Sequence, residues 1–113
     1  MPERTYTGAE LERKLAALAG WRHEDGAIRR TYATDGWPTT LMLVNAIGFL
    51  AEAADHHPDL AVSWGRVTVA LNTHSAGGIT DKDFELAERI EALALWRPSG
   101  GALAGTTKGW VAS

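Results

Sequence analysis

The chain has 113 residues, of which 45% are hydrophobic and 22% charged, with a formal net charge of −3 and no cysteine. That length fits one domain, and the balance is that of a packed globular chain rather than a disordered one. The missing cysteine excludes disulfides, thiolate metal sites and a thiol nucleophile, and with no basic stripe and Arg29-Arg30 the sole adjacent arginine pair no direct nucleic-acid binding is expected.

The opening MPERTYTG carries no apolar leader. No apolar run approaches the roughly 20 residues that span a bilayer, so a cytoplasmic protein without a membrane partner is expected. TGAELERKLAALAG predicts a short helix: Thr7 and Glu10 have capping-box spacing, Leu11, Leu15 and Leu18 share a face, and Gly20 suits the stop. WRHE and AIRRTYAT flank Asp25-Gly26, a two-residue hairpin signal. Pro38 opens a helix running to about Asp55. Leu43, Ile47, Leu50, Ala51 and Ala54 form one of its apolar faces, and Met42, Ala46, Phe49 and Ala53 form another. A helix apolar on two sides is covered on two sides, and in so small a domain the second cover is expected to be another subunit.

DLAVSW and RVTVALNTH predict two strands joined near Gly65, with Val67, Val69 and Leu71 on one face of the second. SAGG predicts a flexible connection. TDKDFELAERIEALAL predicts a helix capped by Thr80 and Asp83, burying Phe84, Ala87, Ile90 and Ala94 with Leu86 and Leu93 beside them. The order α-β-β-α-β-β-α implies an α+β fold: a four-stranded antiparallel sheet with three helices on one face. Residues 1–96 form this domain. Residues 97–113 form a Gly-rich tail whose Leu103, Trp110 and Val111 argue that part of it packs on the domain or on a partner.

EAADHHPDL, residues 52–60, sets two imidazoles side by side with a proline behind them. Pro58 disfavours the α conformation at His57, which should leave the helix, with His56 near the helix end. Glu52 lies one turn before His56, the spacing for contact. His74, at the end of the second strand, joins the pair if that strand lies beside the one after Pro58. Histidine titrates near neutral pH, so two or three imidazoles around one pocket can take a proton at one atom and deliver one at another, which suits elimination of water. Each residue also has a purely structural explanation: His56 complements a helix dipole, His57 is solvated, His74 satisfies a strand end and Asp83 caps a helix. Adjacent histidines before a proline lack the i, i+4 spacing of helical zinc sites, so no metal is assigned. His23 reads as surface, HSAGGIT lacks the lysine of a phosphate loop, and Ser63 and Ser75 lack a nucleophile-elbow context.

The stretch EAADHHPDLAVSWGRVTVALNTHSAGGITDKD resembles the signature of the pterin-4a-carbinolamine dehydratases. That signature has an acidic residue, three residues, His-His-Pro, an aromatic after a short gap, nine residues, a histidine and a later aspartate. These positions are Glu52, His56, His57, Pro58, Trp64, His74 and Asp83. A weaker resemblance runs from about residue 7 to 96 and includes Gly20-Trp21. The resemblance implies dehydration of 4a-hydroxytetrahydropterin to quinonoid dihydropterin, with no metal or organic cofactor. It implies that His56 and His74 transfer protons at the 4a-hydroxyl and N5, that His57 orients the ring or assists, and that Glu52 holds His56. Asp55, Pro58, Trp64, the Thr73 backbone and Asp83 fall at substrate-binding positions, Asp83 also serving as a cap. It further implies a homodimer or homotetramer. Animal members of that family act as transcriptional coactivators, and nothing in this chain points to that role. The sequence departs from the pattern in its longer tail and in DGWPTTLMLV, which replaces a more Phe-rich segment. Such departures suit an alternative on the same fold, a non-enzymatic assembly factor of the RuBisCO-chaperone kind, whereas the intact histidine set argues for the enzyme. The tail then either closes over the cleft or binds a protein partner.

Overall fold

The apolar spacing of the first predicted helix sets its place. In the computed structural model, which describes residues 3–112, α1 (Gly8–Ala16) and the turn after it bury Leu11, Leu15 and Leu18 together. The capping box expected at its start does not form. Thr7 is the N-cap residue but its side chain makes no cap bond, and Glu10 instead pairs with Arg4. Gly8, at φ +55°, turns the backbone away at the first helical position. A charge-assisted bond to a guanidinium then outcompetes a neutral amide for the carboxylate.

Asp25 and Gly26, at φ 50° and 75°, make the tight turn between β1 (Arg22–Glu24) and β2 (Ala27–Thr34). The Asp-Gly pair is suited to it because a type I′ turn needs positive φ at both central residues. α2 (Trp37–Ala54) follows with Pro38 in its first turn and buries Thr39, Thr40, Leu43, Ile47 and Ala51. Its second apolar face is left open in the monomer: Met42 is 54% and Phe49 72% exposed. β3 (Asp59–Ser63) and β4 (Arg66–Leu71) form the second hairpin, and α3 (Asp81–Ala94) closes the domain.

The sheet order is β1-β2-β4-β3, every pair antiparallel. Ile28 and Tyr32 of β2 and Val67, Val69 and Leu71 of β4 point to one face, where they meet Leu11 and Leu15 of α1, Leu43 and Ile47 of α2, and Phe84 and Ile90 of α3. This is the expected α+β architecture with helices on one face. One addition comes from the tail. β1 covers only the first residues of β2, and the far end of the same edge is covered by β5 (Val111–Ala112), which pairs with Ala33 and Thr34. Arg97 Nη2 donates to the Val111 carbonyl at 2.6 Å, and Trp110 and Val111 close over Leu43, Ala46, Leu93 and Ala94. Leu93, expected beside the buried face of α3, is 39% exposed at the rim of this contact.

A polar cluster lies between the sheet and α3. Arg30 is 5% exposed and donates from Nε and Nη2 to the two oxygens of Glu91 at 3.0 and 3.2 Å. Tyr32 Oη and Trp21 Nε1 donate to Glu91 Oε1 at 2.6 and 3.0 Å. Burial opposes ionisation of Glu91, but the hydrogen bonds from Arg30, Tyr32 and Trp21 outweigh it and hold the carboxyl below its ordinary value. Burial, followed by the bond to Glu91, pushes the Tyr32 phenol far up.

Candidate active site

The end of α2 builds the first half of the site. Asp55 takes the left-handed conformation at φ 52°. Its N–H reaches the Glu52 carbonyl at 3.2 Å, and the His56 N–H reaches the Ala51 carbonyl at 3.1 Å. This is a Schellman ending with aspartate in the place glycine usually takes. It turns His56 off the helix axis one residue before Pro58 commits His57 to an extended path into β3. Asp55→Val is expected to cost roughly 1–2 kcal/mol, because a β-branched side chain tolerates this conformation poorly. A urea unfolding curve equal to that of the unsubstituted protein would refute the left-handed ending.

The same turn corrects the expected pairing of Glu52 with His56. Spacing of i, i+4 brings side chains together only while the helix continues, and here it has ended. Glu52 Oε1 instead meets His57 Nε2 at 2.8 Å, with both groups largely exposed. His56 swings inward, and its Nε2 meets Asp83 Oδ1 at 2.7 Å, with the aspartate side chain wholly buried. The exposed pair contributes little to stability, whereas the buried one is screened by almost no water.

Asp83 is more than the cap its position suggests. As N3 of α3 it accepts the Thr80 N–H on Oδ2 at 2.9 Å, completing the expected capping box. The same oxygen accepts the Thr73 hydroxyl at 2.8 Å. With His56 Nε2 on Oδ1, partners from three chain segments converge on one buried carboxyl group. Sequence reasoning named Asp83 and Thr73 but missed Thr80 as part of the site and missed Asp83 as the partner of His56. The capping-box spacing was the available signal. Which histidine the far side of that carboxylate would meet is a tertiary fact.

His74 lies beyond the strand where it was expected to sit. β4 ends at Leu71, and His74–Ala76 form one short 3₁₀ turn. SAGG is not a loose connection. Thr73 N–H donates to the Gly78 carbonyl at 2.9 Å, and Ala76 and Gly77 donate back to the Thr73 carbonyl at 3.1 and 3.0 Å. His74 itself is exposed, and no side-chain hydrogen bond to it occurs among the described residues.

Strand register brings these pieces together. Asp59 at the start of β3 faces Ala70 near the end of β4, so His56–Pro58 and Thr73–His74 emerge at the same end of the sheet. Asp55 stands there too, exposed at the helix end. Trp64 does not join them. It lies in the turn at the opposite end of the five-residue β3, roughly 16 Å of strand away, stacked near Gly36 and 69% exposed. Beside His56 runs an open groove of about 650 Å³ between α2 and α3, with Leu50, Ala53 and Leu86 as its apolar floor and Lys82 and Arg89 on its rim. The site therefore has an anchored imidazole, His56, and two accessible ones, His57 and His74, around one sheet end. That set can exchange protons with a bound heterocycle at more than one atom.

A sequence model of the family described as Pterin 4 alpha carbinolamine dehydratase matches residues 4–93. A protein of Aquifex aeolicus named "Putative pterin-4-alpha-carbinolamine dehydratase" is 47% identical over 90 residues, covering 80% of this chain and 91% of its own length. One of the same name from Roseiflexus sp. (strain RS-1) is 45% identical over 85 residues, covering 75% of this chain and 91% of its own. Among solved structures, the crystal structure of a transcriptional coactivator/pterin dehydratase from Brucella melitensis superposes with a TM-score of 0.76 at 33% identity, covering 80% of this chain and 99% of that one.

Proposed function

The chain belongs to the pterin 4 alpha carbinolamine dehydratase family, and from that premise we propose that it dehydrates a 4a-hydroxytetrahydropterin to the quinonoid dihydropterin by histidine acid–base catalysis. The observation that carries the reading is the buried Asp83–His56 pair at the sheet end that also bears His57 and His74. In this reaction the N5 lone pair expels the 4a-hydroxyl. One group gives that hydroxyl a proton as it leaves as water, and another removes the proton from N5. The pterin lies against the sheet end, bordered by Asp55, Pro58 and the Thr73 backbone. His56 and His74 carry the two proton transfers, His57 orients the ring, and Glu52 holds His57 rather than His56. The test is direct: generate the 4a-hydroxytetrahydropterin and follow its ultraviolet decay with and without the protein. Acceleration that His56→Ala removes supports the enzyme. No acceleration by folded protein rejects it.

A second reading rests on the outer face of α2, where Trp37, Leu41, Met42 and Phe49 are exposed. Apolar side chains lined along one helix mark an association surface. The proposed occupant is a second copy of this chain, giving a homodimer or homotetramer. A non-enzymatic assembly factor would use the same face for another protein. Phe49→Glu is expected to reduce the mass measured by light scattering to that of a smaller assembly. An unchanged mass would remove this face from self-association.

A further inference from the structure

The buried polar groups behind His56 are directional. Lys82 N–H donates to Thr80 Oγ1 at 3.2 Å. Thr73 and Thr80 share a hydrogen bond at 2.7 Å. Thr73 has one hydroxyl proton, and it goes to Asp83 Oδ2, so Thr80 must be the donor in the bond between the two threonines. The chain of donors thus runs one way, from the α3 N-terminus through Thr80 and Thr73 to Asp83. Thr73 is 3%, Thr80 2% and Asp83 0% exposed, so water does not compete for the bonds among these three residues.

Two arrangements of the last link are chemically open. Either Asp83 accepts a proton held on His56 Nε2, or a proton on Asp83 Oδ1 is donated to Nε2 and the ring carries its own proton on Nδ1. A carboxylate oxygen that already accepts both the Thr73 hydroxyl and the Thr80 amide favours the first. We infer that Thr73 and Thr80 are positioning residues that hold Asp83 as an acceptor and so fix His56 as the Nε2–H tautomer, leaving Nδ1 as the nitrogen that meets substrate. The relay also fastens the three segments that bear the site, since His56 follows α2, Thr73 precedes His74, and Thr80 and Asp83 open α3. The assignment of Nδ1 to substrate rests on the dehydratase reading, whereas the tautomer does not.

The experiment separates the two. Two-bond proton–nitrogen correlation spectra of the full chain, labelled with nitrogen-15 histidine and free of substrate, report which nitrogen of neutral His56 bears the proton. Nε2–H is expected in the unsubstituted protein and a mixture of tautomers in Thr73→Val, with Thr73→Ser restoring the single form. In the dehydration assay Thr73→Val should lower kcat about tenfold with KM unchanged, the rate equivalent of one hydrogen bond, and Thr73→Ser should recover it. His56 as Nδ1–H in the unsubstituted protein, or an unaltered tautomer and kcat in Thr73→Val, overturns the inference. Should the valine variant fold poorly, Thr73→Ala removes the same hydroxyl without adding bulk, and the unsubstituted spectrum decides the tautomer by itself. A protein that shows the expected tautomers but no dehydration retains the positioning role and loses the proposed reaction.

Discussion

Replacing His74 by alanine is expected to lower the dehydration rate by roughly 10²–10⁴-fold, the usual consequence of removing a general acid or base, with the unfolding midpoint unchanged. The two halves of this expectation have separate grounds. In the proposed reaction the rate falls because His74 is the second proton-transfer group at the sheet end. His56 alone, with Nε2 committed to Asp83, has one nitrogen left and cannot serve both the 4a-hydroxyl and N5. Stability holds because the His74 side chain is exposed and its 3₁₀ turn is kept by backbone bonds to the Thr73 carbonyl and by the Thr73–Gly78 bridge. His56→Ala is a less clean test. It strips a donor from a buried carboxylate, so activity and stability would fall together. An unaltered rate in His74→Ala would remove His74 from the mechanism and leave His57 as the second proton-transfer group.

What the sequence made legible divides along a physical line. Features fixed by neighbouring residues were readable: the Asp25-Gly26 turn, the Thr80–Asp83 cap, the buried alternation of β4 and the break that Pro58 imposes after the paired histidines. Features decided by which segment arrives opposite were not. Glu52 was matched to His56 because a continuing helix would have joined them. The left-handed Asp55 that ends it one residue early has no unambiguous local signature, since aspartate takes that conformation only where context selects it. Arg30 reads in the sequence only as half of an adjacent arginine pair, yet alternation puts it on the core face beside Tyr32, where Glu91 arrives from α3 to neutralise it. The tail had no period to read. Its two-residue strand exists because β1 is too short to cover the edge of β2. A strand that owes its place to someone else's bare edge leaves little trace in its own residues.

Glu91→Ala is expected to destabilise the fold by about 3 kcal/mol, the lower end of the cost of orphaning one member of a buried ion pair, because the Glu91 side chain retains 22% of its exposure. The loss arises less from the missing attraction than from what remains: a guanidinium 5% exposed, together with Tyr32 and Trp21 donors that have lost their acceptor. Glu91→Gln separates charge from shape, and pH gives the sign. A carboxyl whose folded value is depressed contributes stability that is fully present above its unfolded range and is lost as pH falls through the folded value. Urea midpoints should therefore decline into acid more steeply for the unsubstituted protein than for Glu91→Gln, whose midpoint starts lower and loses that component of the slope. Parallel curves would mean that other carboxylates set the acid response. Glu91 lies two turns along α3 from Asp83 and touches none of the histidine cluster, so kcat per folded molecule should survive Glu91→Gln. A variant that keeps its midpoint yet loses kcat would instead show that the clamp of α3 on β2 holds Asp83 in register with His56.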